Sequence, residues 1–385
     1  MANLSYNLDE LLTKMVELGG SDLHLRVGLP PLVRIRGRLT KLDYPPLEPE
    51  DTETLMFSIL NEERKQRFLE THELDMAYAL KGVARFRTNI FRQQGYVGGV
   101  LRCIPFEILT LEKLGLPTVV RELVMRPRGL FLVTGPTGSG KTTTLAGMIR
   151  HINENSAKHI VTIEDPIEFV HDDIKSIVQQ REVGEDTHSF QEALRRVLRQ
   201  APDVTLVGEL RDLETIHLAI TAAETGHLVF GTLHTTDAVQ TVDRAIDVFP
   251  PNQQAQIRMQ LSVTLLAIIC QQLLPTADGK GRVAAFEIMV ATPAIRSLIR
   301  EGKTHQLPTE IQSGGELGMQ SLDSHLAQLL QWGKVKYEDA LAKCSNPREF
   351  EQRIQKLQAE GTLVLPASNA GPAAPPSPGA GPQRR

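Results

Sequence analysis

Hydrophobic and polar positions fall into two regimes along this chain. In residues 8–18, Leu8, Leu11, Leu12, Met15, Val16 and Leu18 recur at helical spacing, and Gly19-Gly20 ends the run. Short alternating runs follow, Ser21 to Val27 and Leu32 to Arg38, broken by Gly28, Pro30, Pro31 and Gly37. A helix is predicted from about Pro49 to Thr71, then two strands, Ala84 to Phe91 and Gly98 to Ile104, joined by a Gln-Gln-Gly turn. This mixture predicts a compact α+β domain over residues 1–105.

From Gly129 the apolar runs are continuous: Leu130–Thr134, His159–Ile163, Val204–Gly208 and His227–Thr232. Strands buried on both faces read this way. Helical patterns between them, the first from Lys141 to about Asn153, imply a mainly parallel sheet covered by helices. Leu261 to Cys270 is also apolar, but shorter than the roughly 20 residues of a membrane span, and it reads as a buried helix. Residues 106–365 are expected to form a linker and this second domain. Residues 366–385, rich in Pro, Gly and Ala, cannot build a core and are expected to be a disordered tail.

Composition adds mainly exclusions. Of 385 residues, 41% are hydrophobic and 23% charged, ordinary values for a globular protein. A net charge of -4 offers no basic stripe for nucleic acid. Cys103, Cys270 and Cys344 form no paired motif, so neither a disulfide framework nor a zinc ribbon is expected. Met1 to Glu10 lacks the basic flank and apolar core of a signal peptide.

The chemistry is concentrated after the first apolar strand. Gly135-Pro136-Thr137-Gly138-Ser139-Gly140-Lys141-Thr142 is a complete phosphate-binding loop, followed by Thr143 on the predicted helix. Its glycines let backbone N–H groups wrap a phosphate, Lys141 reaches the β- and γ-phosphates, and the Thr142 hydroxyl can ligate Mg²⁺. The helix N-terminus adds its positive end to the anion site. Val204–Val207 runs into Gly208-Glu209, placing a carboxylate where it can orient or deprotonate an attacking water, or hold Mg²⁺ through a water. The usual Asp-Glu pair is Gly208-Glu209 here, which leaves room for another direct metal ligand. Glu164, Asp165 and Glu168 cluster after the second strand, well placed for Mg²⁺ and water. His234 ends the fourth strand, where it can sense the γ-phosphate. Arg85 and Arg87 share one strand face, with Arg102 on the next strand, and basic groups on a rigid sheet suit the charge of a transition state at a site completed by a neighbouring copy.

These segments resemble the type IV pilus retraction ATPases (PilT-type) of the secretion ATPase superfamily, from about Leu8 to Ile354. The family's Walker A, Asp box, Walker B and His box resemble residues 135–142, 160–171, 204–209 and 227–235. Ala222–Leu228 (AAETGHL) is specific to the superfamily. Ala294–Glu301 (AIRSLIRE) looks like the retraction branch's signature, with Ser297 where Asn is usual, and Gly318–Asp323 also fits. The resemblance implies an N-terminal PAS-like domain and a RecA-like ATPase domain. It further implies ATP with Mg²⁺ between them, a homohexameric ring, and docking on an inner-membrane platform protein from the cytoplasmic side. By resemblance Glu209 is the first candidate for the catalytic carboxylate, Glu164 and Glu168 are Asp-box acids, and N-terminal arginines approach the phosphates. Thr142, Glu164 and Glu209 are the expected metal ligands. Extension and type II secretion relatives usually carry a C-x-x-C zinc pair and longer N-terminal regions, and this sequence has neither. The expected function is a motor for pilus retraction and twitching motility. An accessory retraction ATPase, an assembly ATPase of the same superfamily and a nucleic-acid motor are the alternatives.

Overall fold

The computed structural model describes residues 6–35, 37–104 and 107–363. The predicted tail lies outside them. The first elements are α1 (Leu8–Glu17), β1 (Gly20–Leu25), β2 (Leu32–Ile35), β3 (Arg38–Lys41), α2 (Pro49–Phe57), α3 (Glu62–Thr71), β4 (Glu73–Leu80), β5 (Ala84–Gln93) and β6 (Tyr96–Ile104). Asn7 caps α1 by accepting from the Glu10 N–H, and Leu8, Leu11, Leu12 and Met15 turn inward as their spacing requires. The six strands form one antiparallel sheet in the order β3-β2-β1-β6-β5-β4. Gln94 and Gly95 both have positive φ, the geometry of a two-residue hairpin turn whose twist suits the flanking strands. The single helix expected over 49–71 is two. Asn61 accepts from the Arg64 N–H and starts α3 afresh, while Phe57 and Phe68 meet edge to face across the break.

The chain continues through α4 (Thr118–Leu123), β7 (Gly129–Thr134), α5 (Lys141–Asn155), β8 (His159–Glu164), β9 (Ile177–Glu182), α6 (Phe190–Val197), β10 (Val204–Val207), α7 (Leu213–Glu224), β11 (Leu228–Leu233), α8 (Ala238–Asp247), α9 (Pro251–Thr264), β12 (Leu265–Pro275), β13 (Arg282–Val290), α10 (Pro293–Glu301) and α11 (Leu307–Ser313). A seven-stranded sheet has the order β13-β12-β7-β11-β10-β8-β9, and its pairs from β12 to β9 are parallel. Every residue of β7, β10 and β11 is buried, matching their unbroken apolar runs. The α/β class, with a PAS-like antiparallel domain before a RecA-like one, is the fold the chain adopts.

Leu261–Cys270 is not one helix. Helix α9 ends at Thr264, Leu265 turns extended, and β12 pairs with the phosphate-loop strand β7. A fully buried strand has no alternation to distinguish it from a buried helix, and the β-branched Ile268 and Ile269 were the available signal.

By contacts the chain divides into two units. The larger comprises residues up to Gln272 together with Phe286–Ser321, and so contains the antiparallel sheet and all of the seven-stranded sheet except the end of β12 and the start of β13. The smaller takes Leu273–Ala285 and the residues from Leu322 on, with α12 (Leu322–Gln331), α13 (Tyr337–Leu341) and α14 (Pro347–Ala359). Its core joins Leu274 and Ala285 to Leu326, Leu330, Phe350 and Ile354.

Candidate nucleotide site

The phosphate loop leaves β7, an interior strand flanked by β12 and β11, and enters α5 at Lys141. Gly135, at φ 142°, has no room for a side chain: a Cβ would lie 2.3 Å from the Gln271 carbonyl oxygen and 2.6 Å from Ser139 Oγ. Pro136, Thr137 and Gly138 form the exposed tip, Ser139 is buried, and Gly140, Lys141, Thr142 and Thr143 are half-buried. Gly140 caps α5 in the left-handed conformation. Lys141 Nζ donates back to the carbonyls of Gly135 (2.8 Å) and Pro136 (3.3 Å). Burial depresses its pKa, and the charges of Glu209 and Glu168 oppose that shift. Both carboxylates thus lie near enough to act on the lysine's charge.

Glu209 follows β10. The Gly208 N–H bonds to the Ile163 carbonyl, and the Thr232 hydroxyl donates to the Gly208 carbonyl, fixing the turn between neighbouring strands. Glu209 Oε1 lies 3.1 Å from His234 Nε2 and also receives Arg211 Nε. Burial raises the Glu209 pKa, but Arg211 and His234 outweigh it and hold the carboxyl below its ordinary value. Glu209 is thus an ionised, partly open carboxylate.

Glu164 is different. It is buried, and its Oε1 receives the Thr162 hydroxyl (2.6 Å) and the Gln180 amide (3.1 Å). Burial pushes its pKa to about 7 despite those bonds. The loop after it is tied to β9: Glu182 accepts from the Ile167 N–H, and Gln180 bridges the His171 N–H and the Phe169 carbonyl.

Of the arginines, Arg87 Nη1 stands 3.9 Å from Glu168 Oε1 within the same chain. Arg85 pairs with Glu182 at 3.4 Å, and Arg64 with Glu185 at 2.7 Å. Arg102 lies beside Arg87 across the β5–β6 ladder, but its bond is to Asp22 on β1, at 2.8 Å. Sequence reasoning missed two residues of the site. Arg211, two positions after Glu209, was within view of the motif. Gln271, buried within β12, donates to the Ser139 carbonyl from 132 positions away; no local pattern reports such a contact.

Residues 106–282 match the family described as Type II/IV secretion system protein. The chain is 52% identical to the type IV pilus retraction ATPase PilT of Pseudomonas aeruginosa over 89% of its own length and all of that protein's. It is 45% identical to the type IV pilus ATPase PilU of the same organism, over 91% of this chain and 92% of that one. The crystal structure of the pilus retraction motor PilT with bound ADP superposes with a TM-score of 0.85 at 50% identity, covering 90% of this chain and 100% of that one. The match runs through the P-loop and the Glu209 strand end, so the chain is an ATP hydrolase and belongs to the type IV pilus retraction ATPase family of the secretion ATPase superfamily.

Proposed function

We propose that the chain forms a homohexameric ring on the cytoplasmic face of the inner membrane, docks on the pilus platform protein and drives pilin disassembly with ATP and Mg²⁺. The observation that carries this reading is the placement of Lys141 at the start of α5, Glu168 in the loop after β8 and Glu209 just past β10, all at one edge of the parallel sheet, with both carboxylates acting on the lysine's charge and Arg211 and His234 on Glu209. No helix among the described residues is long and apolar enough to cross a membrane, which suits a peripheral motor.

In this reading Lys141 leaves the loop carbonyls for the β- and γ-phosphates. Glu209 orients the attacking water and accepts its proton. His234, bonded to Glu209, reports the state of that carboxylate to the end of β11. Arg87 and Arg102 stabilise transition-state charge, and Glu168 holds Arg87 near the site. The donor chemistry fits Mg²⁺, a hard ion that takes one or two protein oxygens beside substrate phosphates. Thr142 and Glu209 would hold it, with Glu164 behind them as a buried acid. When bound, the ion neutralises phosphate charge.

Lys141→Ala is expected to abolish hydrolysis. Glu209→Gln is expected to keep ATP binding and lose at least about a hundredfold in turnover, the scale of general-base loss. Near-normal turnover of Lys141→Ala would overturn the site. In cells, deletion is expected to leave more surface pili and no twitching, whereas fewer pili would indicate an assembly motor. An accessory retraction role, one of the alternatives open from the sequence, is the second reading, since the chain is also 45% identical to a second type IV pilus ATPase. Restoration of twitching by this chain alone, in a strain lacking both retraction ATPases, separates the two.

A further inference from the structure

The strand registers align four charged residues across the antiparallel sheet. Asp22 on β1 faces Arg34 on β2 and Arg102 on β6, and Arg102 faces Arg87 on β5. Residues directly opposite on neighbouring strands project to the same face, so Arg34, Asp22, Arg102 and Arg87 form one row. The row ends at Glu168, where Arg87 meets the nucleotide site.

Asp22 is the single acid in this row and is 4% exposed. One oxygen accepts from Arg102 Nε at 2.8 Å. The other lies 3.5 Å from Arg34 Nε and accepts from the Ser21 hydroxyl at 2.7 Å. Arg102 engages Asp22 through Nε, and its side chain remains 69% exposed, leaving guanidinium surface open to an incoming anion. A buried carboxylate on a rigid strand removes much of the rotational freedom that an exposed arginine otherwise keeps, and fixing that freedom in advance is what a preorganised anion site requires.

We infer that Asp22 is a positioning residue for ATP hydrolysis: it fixes Arg102 so that the guanidinium is presented, beside Arg87, to the polyphosphate. This rests on the reading that Arg87 and Arg102 act on ATP phosphates. Asp22 touches no substrate and acts only through its arginine. The opposing account is that Asp22 merely holds the sheet together.

The test is a double-mutant cycle on the purified full-length chain with Asp22→Ala, Arg102→Ala and the double variant, reading kcat, KM for ATP and Tm. Loss of one charge-assisted hydrogen bond sets the expected scale, so Asp22→Ala lowers kcat roughly tenfold with KM little changed. Arg102→Ala lowers kcat more, and the double variant matches Arg102→Ala. Asp22→Asn, which keeps an acceptor without its charge, falls between wild type and Asp22→Ala, and it replaces Asp22→Ala in the cycle if that variant does not fold. If the two losses multiply in the double variant, or if Asp22→Ala lowers Tm with kcat intact, the positioning role is overturned while the arginine reading stands. If Arg102→Ala turns over normally, the arginine reading fails and the role of Asp22 falls with it.

Discussion

Glu164 and Glu209 end neighbouring parallel strands, yet their surroundings drive their protonation in opposite directions. Glu209 has Arg211 and His234 to hold its charge, while Glu164, in a buried setting, has a hydroxyl, an amide and the weaker pull of Arg85, opposed by Glu168. The folded Glu164 pKa of about 7 lies above the ordinary glutamate value of 4.5. Its contribution to stability is therefore fully present below pH 4.5 and is lost as pH rises toward 7, because the folded state must bury the charge. Glu164→Gln keeps the shape and removes that titration. The nucleotide-free variant is expected to gain roughly 2–3 kcal/mol over wild type at pH 8 and nothing at pH 4.5. Urea unfolding at the two pH values checks this; an equal change at both would mean that Glu164 does not titrate in the folded protein. At this scale the sequence was informative wherever chemistry is local. Lys141 and Glu209 follow directly from the strand-loop-helix and strand-carboxylate patterns. The buried state of Glu164 depends on Gln180, 16 positions later on another strand, and the pattern of acids after β8 could not express it.

Helix α10 shows what helical periodicity resolves and what it omits. Ile295 and Ile299 are fully buried and Leu298 packs at the margin of the core, as their spacing predicts. Between them in the sequence, Arg296 belongs by helical spacing to a more polar face of α10. Instead it is half-buried, with Nε on the Ala291 carbonyl (2.9 Å) and Nη1 on the Ser262 and Val263 carbonyls (2.6 Å each). Those last two are orphan carbonyls at the C-terminal end of α9, just before β12 begins, and a helix end leaves such groups to be satisfied from outside. A planar guanidinium reaches all three; an ammonium cannot. Arg296→Lys should therefore cost about 1–3 kcal/mol, the price of leaving the carbonyls of the buried Ser262 and Ala291 short of donors. Thermal unfolding checks it, with Arg300→Lys, on the exposed side of the same helix, as the comparison. Equal Tm values for the two variants would remove the capping role. The same junction is where the sequence reading failed, since α9 and β12 share one apolar run and the pairing of β12 with β7 fixes where the helix stops.

For the whole molecule, the α/β class and the order of its two sheets were legible because each sheet is built from its own stretch of sequence. The smaller unit was not, because the tip of the β12–β13 hairpin joins helices that begin about forty residues later in the chain, at Leu322. Also hidden was how the antiparallel sheet is held over the acidic loop and β9 within the larger unit. Three arginine–carboxylate pairs do this: Arg64–Glu185, Arg85–Glu182 and Arg87–Glu168. Only Arg64–Glu185 is bidentate, with Nε at 3.0 Å and Nη2 at 2.7 Å, and its acid lies in the turn after β9 rather than in the acidic loop. Both partners are partly exposed, so solvent and salt reduce the pair to roughly 0.5–1 kcal/mol. That is enough to shift how often Arg87 reaches Glu168 without unfolding either sheet. Reversing one charge places like charges together, so Arg64→Glu and Glu185→Arg should each lower kcat by about two- to fivefold. Combining them restores the pair in the opposite sense and should return kcat to within about twofold of wild type, with the rescue weakening as salt rises past the screening range. Turnover at low and high salt for the four proteins checks this. If the single reversals leave kcat unchanged, or the swapped pair is no better than either alone, the placement of the antiparallel sheet over the acidic loop does not govern turnover.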